Sequence, residues 1–346
     1  LFLVSALLVA WFFTADPLGR GLASPFYQEA LGQGGGNISL VDTSLLTPIP
    51  FPSPRPVQGW DDFPAWEEMT ITRTNASPYR RVMGEPLSFN PALLPRPPED
   101  NGRGVHWFPT RAQSRETVDR YLTEVTAMRL RWVVVLQGLE PYEQESNTYL
   151  RSNLKAAGIM PVVRILASVG PLDYRRLEET VRRLLPYTAY FQVFNEPNLE
   201  DEWGAPAPHS TARFLEYWIP AAEAVSRAGG YAGLPGPSPV GDYADVRFVS
   251  ETVGLLLAWN RQDLLNRAWL AVHNYTLGAV ADCAADEAGF GRYRRYNREI
   301  VAALGVSLPM IATEGGPVPP PSGRWGVGGI TPEYHAACLS AIYRWL

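Results

Sequence analysis

Two glutamates each close a short apolar run, Glu196 in VFNEPN (Val193 to Asn198) and Glu314 in MIATEGG (Met310 to Gly316). A third apolar run ends in HNY (His273 to Tyr275). Two carboxyl groups that share one cavity can protonate a leaving oxygen and attack or stabilise an anomeric carbon, which is the chemistry of glycosidic bond cleavage. A separation of about 5–5.5 Å between them would retain the anomeric configuration, whereas a wider gap would admit a water and invert it.

Seven short apolar, β-branched runs predict the strands that position these residues. Between them lie amphipathic stretches with apolar residues at helical spacing, such as Arg115 to Met128 and Thr211 to Ala228. Active sites in parallel α/β proteins form at the carboxyl ends of the strands, which is where both glutamates fall. The predicted strands are GVHWF (from Gly104), RWVVVL (from Arg131), IMPVVRIL (from Ile159), YFQVF (from Tyr190), YAGLP (from Tyr231), AWLAVH (from Ala268) and LPMIAT (from Leu308).

The alternation of strands and helices requires a parallel sheet with right-handed crossovers, either an open doubly wound sheet or a closed barrel. A doubly wound sheet that binds nucleotides usually has a glycine-rich turn after its first strand. The turn here, HWFPTRAQS from His106, is bulky and contains no glycine. The sequence therefore predicts an α/β fold of the (β/α)8 TIM barrel type. The last helical segment runs to Leu346, so we expect the barrel to be truncated before its eighth strand.

With these motifs, the chain from about Gly104 to Leu346 resembles the clan of retaining (β/α)8 glycosidases (clan A type). In that clan the acid/base follows an Asn on the fourth strand and the nucleophile ends the seventh. The resemblance implies that Glu196 is the general acid/base, that Glu314 is the nucleophile, and that Asn195 binds the 2-hydroxyl of the sugar. It assigns no single family and covers none of the N-terminal region.

Further side chains are candidates for contacting the sugar or the two glutamates. We expect Tyr275 to donate a hydrogen bond to Glu314, and His273 to contact Glu196 or the substrate. Clan members often place an arginine beside the nucleophile near the end of an early strand, and Arg164, late in the third predicted strand, is the candidate for that charge. A buried arginine needs a carboxylate partner. The structural alternatives are a satisfied core histidine, a core or rim tyrosine and a purely structural ion pair.

An aromatic platform for the sugar is expected from one of three tryptophans. Trp107 ends the first predicted strand, Trp203 follows the fourth, and Trp325 lies in the long Gly/Pro-rich loop after the seventh. Long loops at this face of a barrel tend to shape subsites. Simple packing is an equally good interpretation of each ring.

The region before the barrel has two parts. Leu1 to Phe13 is almost wholly apolar but short for a membrane span, so residues 1–14 are interpreted as a remnant of a signal peptide or membrane anchor. A buried core strand or helix is the alternative. Residues 15–101 are rich in Pro, Gly and Ser, which favours a linker or an ordered wrap, and residues 102–346 are the glycosidase-like domain.

The N-terminal run predicts a location outside the cytoplasm, either secreted or membrane-anchored. An oxidising compartment permits a disulfide between Cys283 and Cys338, and two buried thiols are the alternative.

Composition and motifs argue against several other classes of protein. The formal net charge is -5, with acidic and basic residues mixed along the chain, so no nucleic-acid partner is expected. The 4 His residues are scattered without a metal-ligand spacing, so no metal is predicted. The G-x-S-x-G elbow of serine hydrolases does not occur.

The sequence thus predicts a cofactor-free glycoside hydrolase that cleaves β-linked O-glycosidic bonds of an oligo- or polysaccharide by double displacement. Two alternatives stay open at this point. One is a barrel that binds carbohydrate at the cell surface without catalysis, and the other is a transglycosylase that uses the same residues.

Overall fold

Eight parallel strands form a barrel in the computed structural model of the chain, which describes residues 5–9, 94–107, 114–204, 210–239, 241–276, 289–305, 308–317 and 332–345. The strands are β1 (Ser5–Val9), β2 (Arg103–His106), β3 (Trp132–Gln137), β4 (Met160–Ile165), β5 (Tyr190–Val193), β6 (Tyr231–Leu234), β7 (Ala268–Thr276) and β8 (Met310–Pro317). Each strand from β2 to β7 pairs in parallel with the next strand in chain order.

The strands from β2 to β8 are the seven predicted from the sequence, so the (β/α)8 barrel is confirmed and nearly closes with these strands alone. The sequence predicted only seven strands, and β1 occupies the place of the eighth. It pairs in parallel with both β2 and β8. Ser5–Val9 belongs to the segment interpreted above as a signal peptide or anchor remnant, and here it takes the alternative role of a strand. The secreted or membrane-anchored location stays a prediction.

Helices follow the strands and cover the barrel. Two of them begin at a serine whose hydroxyl caps the first turn, because Ser114 accepts from the Thr117 N–H and Ser210 accepts from the Arg213 N–H. The helices are α1 (Arg115–Ala127), α2 (Pro141–Ala156), α3 (Tyr174–Leu184), α4 (Thr211–Ala228), α5 (Asp245–Ala258), α6 (Gln262–Leu265), α7 (Arg292–Leu304) and α8 (Pro332–Trp345). Within the residues that the structure describes, no helix is long and apolar enough to cross a membrane.

Aromatic side chains fill the amino-terminal end of the barrel interior. The Tyr190 ring lies edge-on to Trp132 and to Trp269, with centroid distances of 5.6 and 6.0 Å. Gly233 leaves room for this layer, since a Cβ there would lie 2.6 Å from Cζ2 of Trp269. Successive side chains of a strand point to opposite faces, so Val133 packs outward against the cluster that includes Val118 of α1. The buried polar side chains Gln137, Arg164 and Glu314 lie nearer the carboxyl-terminal ends of their strands.

The end of the Pro-rich region packs on this aromatic layer. Leu94 is buried in the same cluster, and the Tyr190 hydroxyl donates to the Pro95 carbonyl at 2.7 Å. The Trp132 indole N–H donates to Asp100 at 2.7 Å. Residues 94–101 thus form part of the domain, while the rest of the predicted linker or wrap lies outside the described residues.

Cys338 of α8 is buried and disulfide-bonded. The only other cysteine in the sequence, Cys283, lies outside the described residues.

Candidate active site

Glu314 lies near the carboxyl end of β8 and is buried in the barrel mouth. One carboxylate oxygen accepts from the Arg164 guanidinium, which reaches it from β4 with a side chain only 5% exposed. The other oxygen accepts from the Tyr275 hydroxyl of β7. These are the contacts expected from the sequence, whereas the catalytic roles of the residues stay predictions.

The surroundings of Glu314 keep its carboxyl group ionised. Burial alone raises the pKa of a carboxyl group, but the positive charge of Arg164 opposes this most strongly. The imidazoles of His273 and His106 and the hydrogen bond from Tyr275 act in the same direction as Arg164. The net result is a pKa well below the ordinary value for a glutamate, as a carboxylate nucleophile requires.

Glu196 is the third residue after the end of β5, where the backbone has left the strand conformation. Phe194 and Glu196 both have positive φ angles, 71° and 26°. Such conformations are uncommon outside glycine, cost about 1–3 kcal/mol and cluster at functional sites. The turn brings the half-buried Glu196 carboxyl beside His273, whose Nδ1 lies 2.8 Å from Oε1 of Glu196.

His273 is fully buried between the two glutamates. Its Nε2 lies 3.9 Å from Oε1 of Glu314, which is too long for a hydrogen bond. The backbone at Gly236 packs closely against the ring, because a Cβ there would lie 2.6 Å from Cδ2 of the imidazole. The β7–β8 ladder also shifts register between Val272 and His273. A glycine two residues after β6 and a register shift within β7 therefore help to determine where this ring lies.

The two carboxyl groups face one another across a short gap. One ligand atom each from Glu196, His273 and Glu314 lies within 4.8 Å of the others, so the two carboxylates approach within that distance. This cluster also has the donor types of a metal site, which the linear spacing did not predict because each residue comes from a different strand. The Arg164 guanidinium already supplies a positive charge at Glu314, and this charge balance disfavours a divalent cation.

The side-chain amide of Asn195 makes a hydrogen bond at its nitrogen end. Its Nδ2 donates to Oε1 of Glu202 at 2.9 Å, and Glu202 ends a 3-10 turn, Glu200–Glu202, that follows β5. Glu202 is not among the site residues predicted from the sequence. A cluster of three acids in EDE (Glu200 to Glu202) was the available signal, but such runs are usually solvated.

His106, at the end of β2, is a second residue near Glu314 that is not among those predicted from the sequence. Its Nδ1 lies 2.7 Å from the Trp107 carbonyl, so that nitrogen must be the protonated one and Nε2 is left as an acceptor. Burial and then the charge of Arg164 lower the pKa of His106 to about 4, which keeps the ring neutral near pH 7. A neutral acceptor at this position is suited to a sugar hydroxyl.

Two of the three tryptophans predicted as sugar platforms are packed within the protein. Trp107 faces outward and packs edge-on against Tyr121 of α1, with ring centroids 6.0 Å apart. Trp203 is also buried, its indole N–H donates to the Pro197 carbonyl at 2.9 Å, and its ring belongs to the core. Both rings thus have packing partners in the core, and a role as sugar platform stays a prediction. Trp325 lies outside the described residues.

Comparisons with known proteins give structural similarity at low sequence identity. The chain is similar to a D-psicose 3-epimerase from Clostridium cellulolyticum H10, with 11% identity, 69% of this chain and 95% of that chain covered, and a TM-score of 0.39. A family 1 β-glucosidase from Thermotoga maritima gives 12% identity, 66% and 73% coverage, and a TM-score of 0.39. A Bacteroides uniformis β-glucuronidase gives 11% identity, 66% and 26% coverage, and a TM-score of 0.41.

No protein-family model matches the sequence, and a search of curated protein sequences gives no match. The fold assignment therefore depends on the strand order and pairing described above.

Proposed function

We propose that the protein hydrolyses β-linked O-glycosidic bonds by double displacement, with Glu314 as nucleophile and Glu196 as general acid/base. The observation that carries this proposal is the approach of the two carboxyl groups to within 4.8 Å, with Arg164 and Tyr275 bound to only one of them. Retaining glycosidases have carboxyl groups about 5–5.5 Å apart, whereas inverting ones need roughly 6.5–9.5 Å to seat a water.

The environments of the two glutamates suit different steps of this reaction. In the first step, ionised Glu314 attacks the anomeric carbon while Glu196 gives its proton to the departing glycosidic oxygen. In the second step, Glu196 takes a proton from water, the water oxygen bonds to the anomeric carbon, and Glu314 leaves as a carboxylate. The imidazole of His273 contacts Glu196 in a hydrogen bond and so can orient this carboxyl group through both steps.

The short gap between the carboxyl groups favours an enzyme over a barrel that only binds carbohydrate. A transglycosylase would use the same intermediate but pass it to a sugar hydroxyl. Product analysis with an added acceptor sugar distinguishes these outcomes, because hydrolysis releases free sugar and transfer gives a longer glycoside. The substrate we propose is an oligo- or polysaccharide outside the cytoplasm.

Covalent trapping tests the proposal directly. The protein is incubated with dinitrophenyl 2-deoxy-2-fluoro β-glycosides of the gluco, galacto, manno and xylo series, and its intact mass and peptides are measured. We expect a mass increase of one fluoro-sugar, located on Glu314, with the reactive series revealing the accepted sugar. Absence of any adduct, together with unchanged turnover by Glu314→Gln, would refute the proposal.

The role of Glu196 is tested by the leaving group. Glu196→Gln should slow hydrolysis of an alkyl or nitrophenyl β-glycoside by about 10²–10⁴-fold, which is the usual contribution of a general acid. A dinitrophenyl leaving group needs little protonation, so its release should be much less affected. Glu216→Gln, which changes an exposed glutamate of α4, is the matched control and should retain full activity.

A further inference from the structure

The two ends of the Asn195 side-chain amide have different surroundings. Nδ2 donates to Oε1 of Glu202 at 2.9 Å. Oδ1 is buried, and it has no hydrogen-bond partner among the described residues. A buried carbonyl without a donor costs free energy, which a bound ligand with a hydroxyl can recover.

The Glu202 side chain is attached to a turn whose backbone is well held. The Glu202 carbonyl accepts from the Val169 N–H at 2.7 Å, and the Glu202 N–H donates to the Leu199 carbonyl at 3.4 Å. The next residue is anchored as well, because the Trp203 indole N–H donates to the Pro197 carbonyl. Glu202 therefore has a fixed backbone position from which it meets Asn195.

A carboxylate can only accept hydrogen bonds, so it can only hold the NH₂ end of an amide. We propose that Glu202 is a positioning residue that fixes the rotation of the Asn195 amide, so that Oδ1 accepts a hydrogen bond from a hydroxyl of the sugar bound at Glu196 and Glu314. This inference rests on the proposed function for the identity of the ligand as a sugar. It specifies an acceptor, so the sugar hydroxyl must be the donor.

The charges around Glu202 agree with a place inside the site. Burial raises the pKa of the Glu202 carboxyl above its ordinary value, and the negative charges of Glu196 and Glu314 raise it further. The hydrogen bond from Asn195 and the charge of Arg164 act in the opposite direction and favour the carboxylate.

The test uses Glu202→Gln, which keeps size and packing but removes the constraint on the amide. A glutamine can accept from Nδ2 or donate to Oδ1, so both rotations of Asn195 become available. Wild type and variant are compared on a hydrolysed aryl β-glycoside and on its monodeoxy analogues, each lacking one ring hydroxyl. We expect the variant to lose about tenfold in kcat/KM on the parent glycoside. Wild type and variant should have equal kcat/KM on the one analogue that lacks the hydroxyl bound by Oδ1 of Asn195.

Glu200→Gln is the matched control, since Glu200 is an exposed member of the same turn, and it should leave kcat/KM unchanged. An equal loss by Glu202→Gln on the parent and on every deoxy analogue would overturn the inference, because it would indicate a general structural effect. No loss on any substrate would overturn it as well.

Calorimetric binding of S-linked aryl thioglycosides and their deoxy analogues separates this inference from the proposed function. These ligands bind without being hydrolysed. If the wild type hydrolyses no glycoside, but the Glu202→Gln variant binds the parent thioglycoside about tenfold more weakly than the wild type, the proposed hydrolase activity is refuted and the proposed orientation of Asn195 is supported. Equal binding by both proteins would overturn the orientation.

Discussion

Replacement of Arg164 by methionine tests how the negative charge of Glu314 is held inside the barrel. The side chains of Arg164 and Glu314 are 5% and 10% exposed, so solvent screens their interaction only weakly. Removal of one partner from a buried ion pair usually costs about 3–5 kcal/mol, because the other charge is left buried without a partner. Arg164 also has two guanidinium nitrogens, Nε and Nη2, without a partner among the described residues. Methionine relieves that penalty, so we expect a loss near 3 kcal/mol.

The assay is urea unfolding followed by tryptophan fluorescence, with the free energy of unfolding extrapolated to water. Arg164→Met is then also made in the Glu314→Gln background, where residue 314 carries no charge. The loss of unfolding free energy caused by Arg164→Met should be much smaller there. Arg176→Met is the matched control, because Arg176 contacts Glu140 at 2.7 Å on the exposed surface. Exposed pairs contribute little, so the unfolding midpoint of the control should stay close to that of wild type.

The pH dependence gives a second check with a definite sign. In the wild type the pKa of Glu314 is lowered, so its contribution to stability is complete above about pH 4.3 and is lost as the pH falls further. In Arg164→Met burial dominates and raises the pKa of Glu314, so the folded variant gains stability relative to the unfolded chain as the pH falls. The stability gap between the two proteins should therefore narrow from pH 7 to pH 4. A gap below about 1 kcal/mol at pH 7, or one that is the same with and without the Glu314 charge, would refute this account of the ion pair.

Two further substitutions probe the same site. Tyr275→Phe removes a hydrogen bond to ionised Glu314 and should lower the free energy of unfolding at pH 7 by about 1.5–3 kcal/mol in urea titrations. That difference should fade as the pH falls below about 4.3 toward the lowered pKa of Glu314, and a constant difference would contradict it. Gly236→Ala should push the His273 ring, costing about 1–3 kcal/mol in stability together with most of the glycosidase activity. Gly204→Ala is its control, because the nearest atom to a new Cβ there is 3.7 Å away, and equal effects of both alanines would count against the clash.

Strand geometry explains why the sequence did not single out His106 as a residue of the barrel interior. His106 and Trp107 are adjacent at the end of β2, and a shift of one residue exchanges the inner and outer faces of a strand. The sequence indicates that one of them lines the barrel, but register with β3 decides that it is His106. Trp203 lies in a turn, where strand alternation does not decide the direction of a side chain. Its indole N–H donates to the Pro197 carbonyl, and its ring packs in the core.

The sequence by itself determined the alternation of seven strands with helices, because apolar runs and helical periodicity are local properties. It also placed Glu196 and Glu314 at strand ends, since a strand stops where its apolar run stops. Only the tertiary structure decided that their carboxyl groups approach within 4.8 Å, and that Arg164 binds one of them while Glu202 holds Asn195. These distances depend on barrel closure and on two positive φ angles after β5, and neither is encoded in the spacing of residues along the chain.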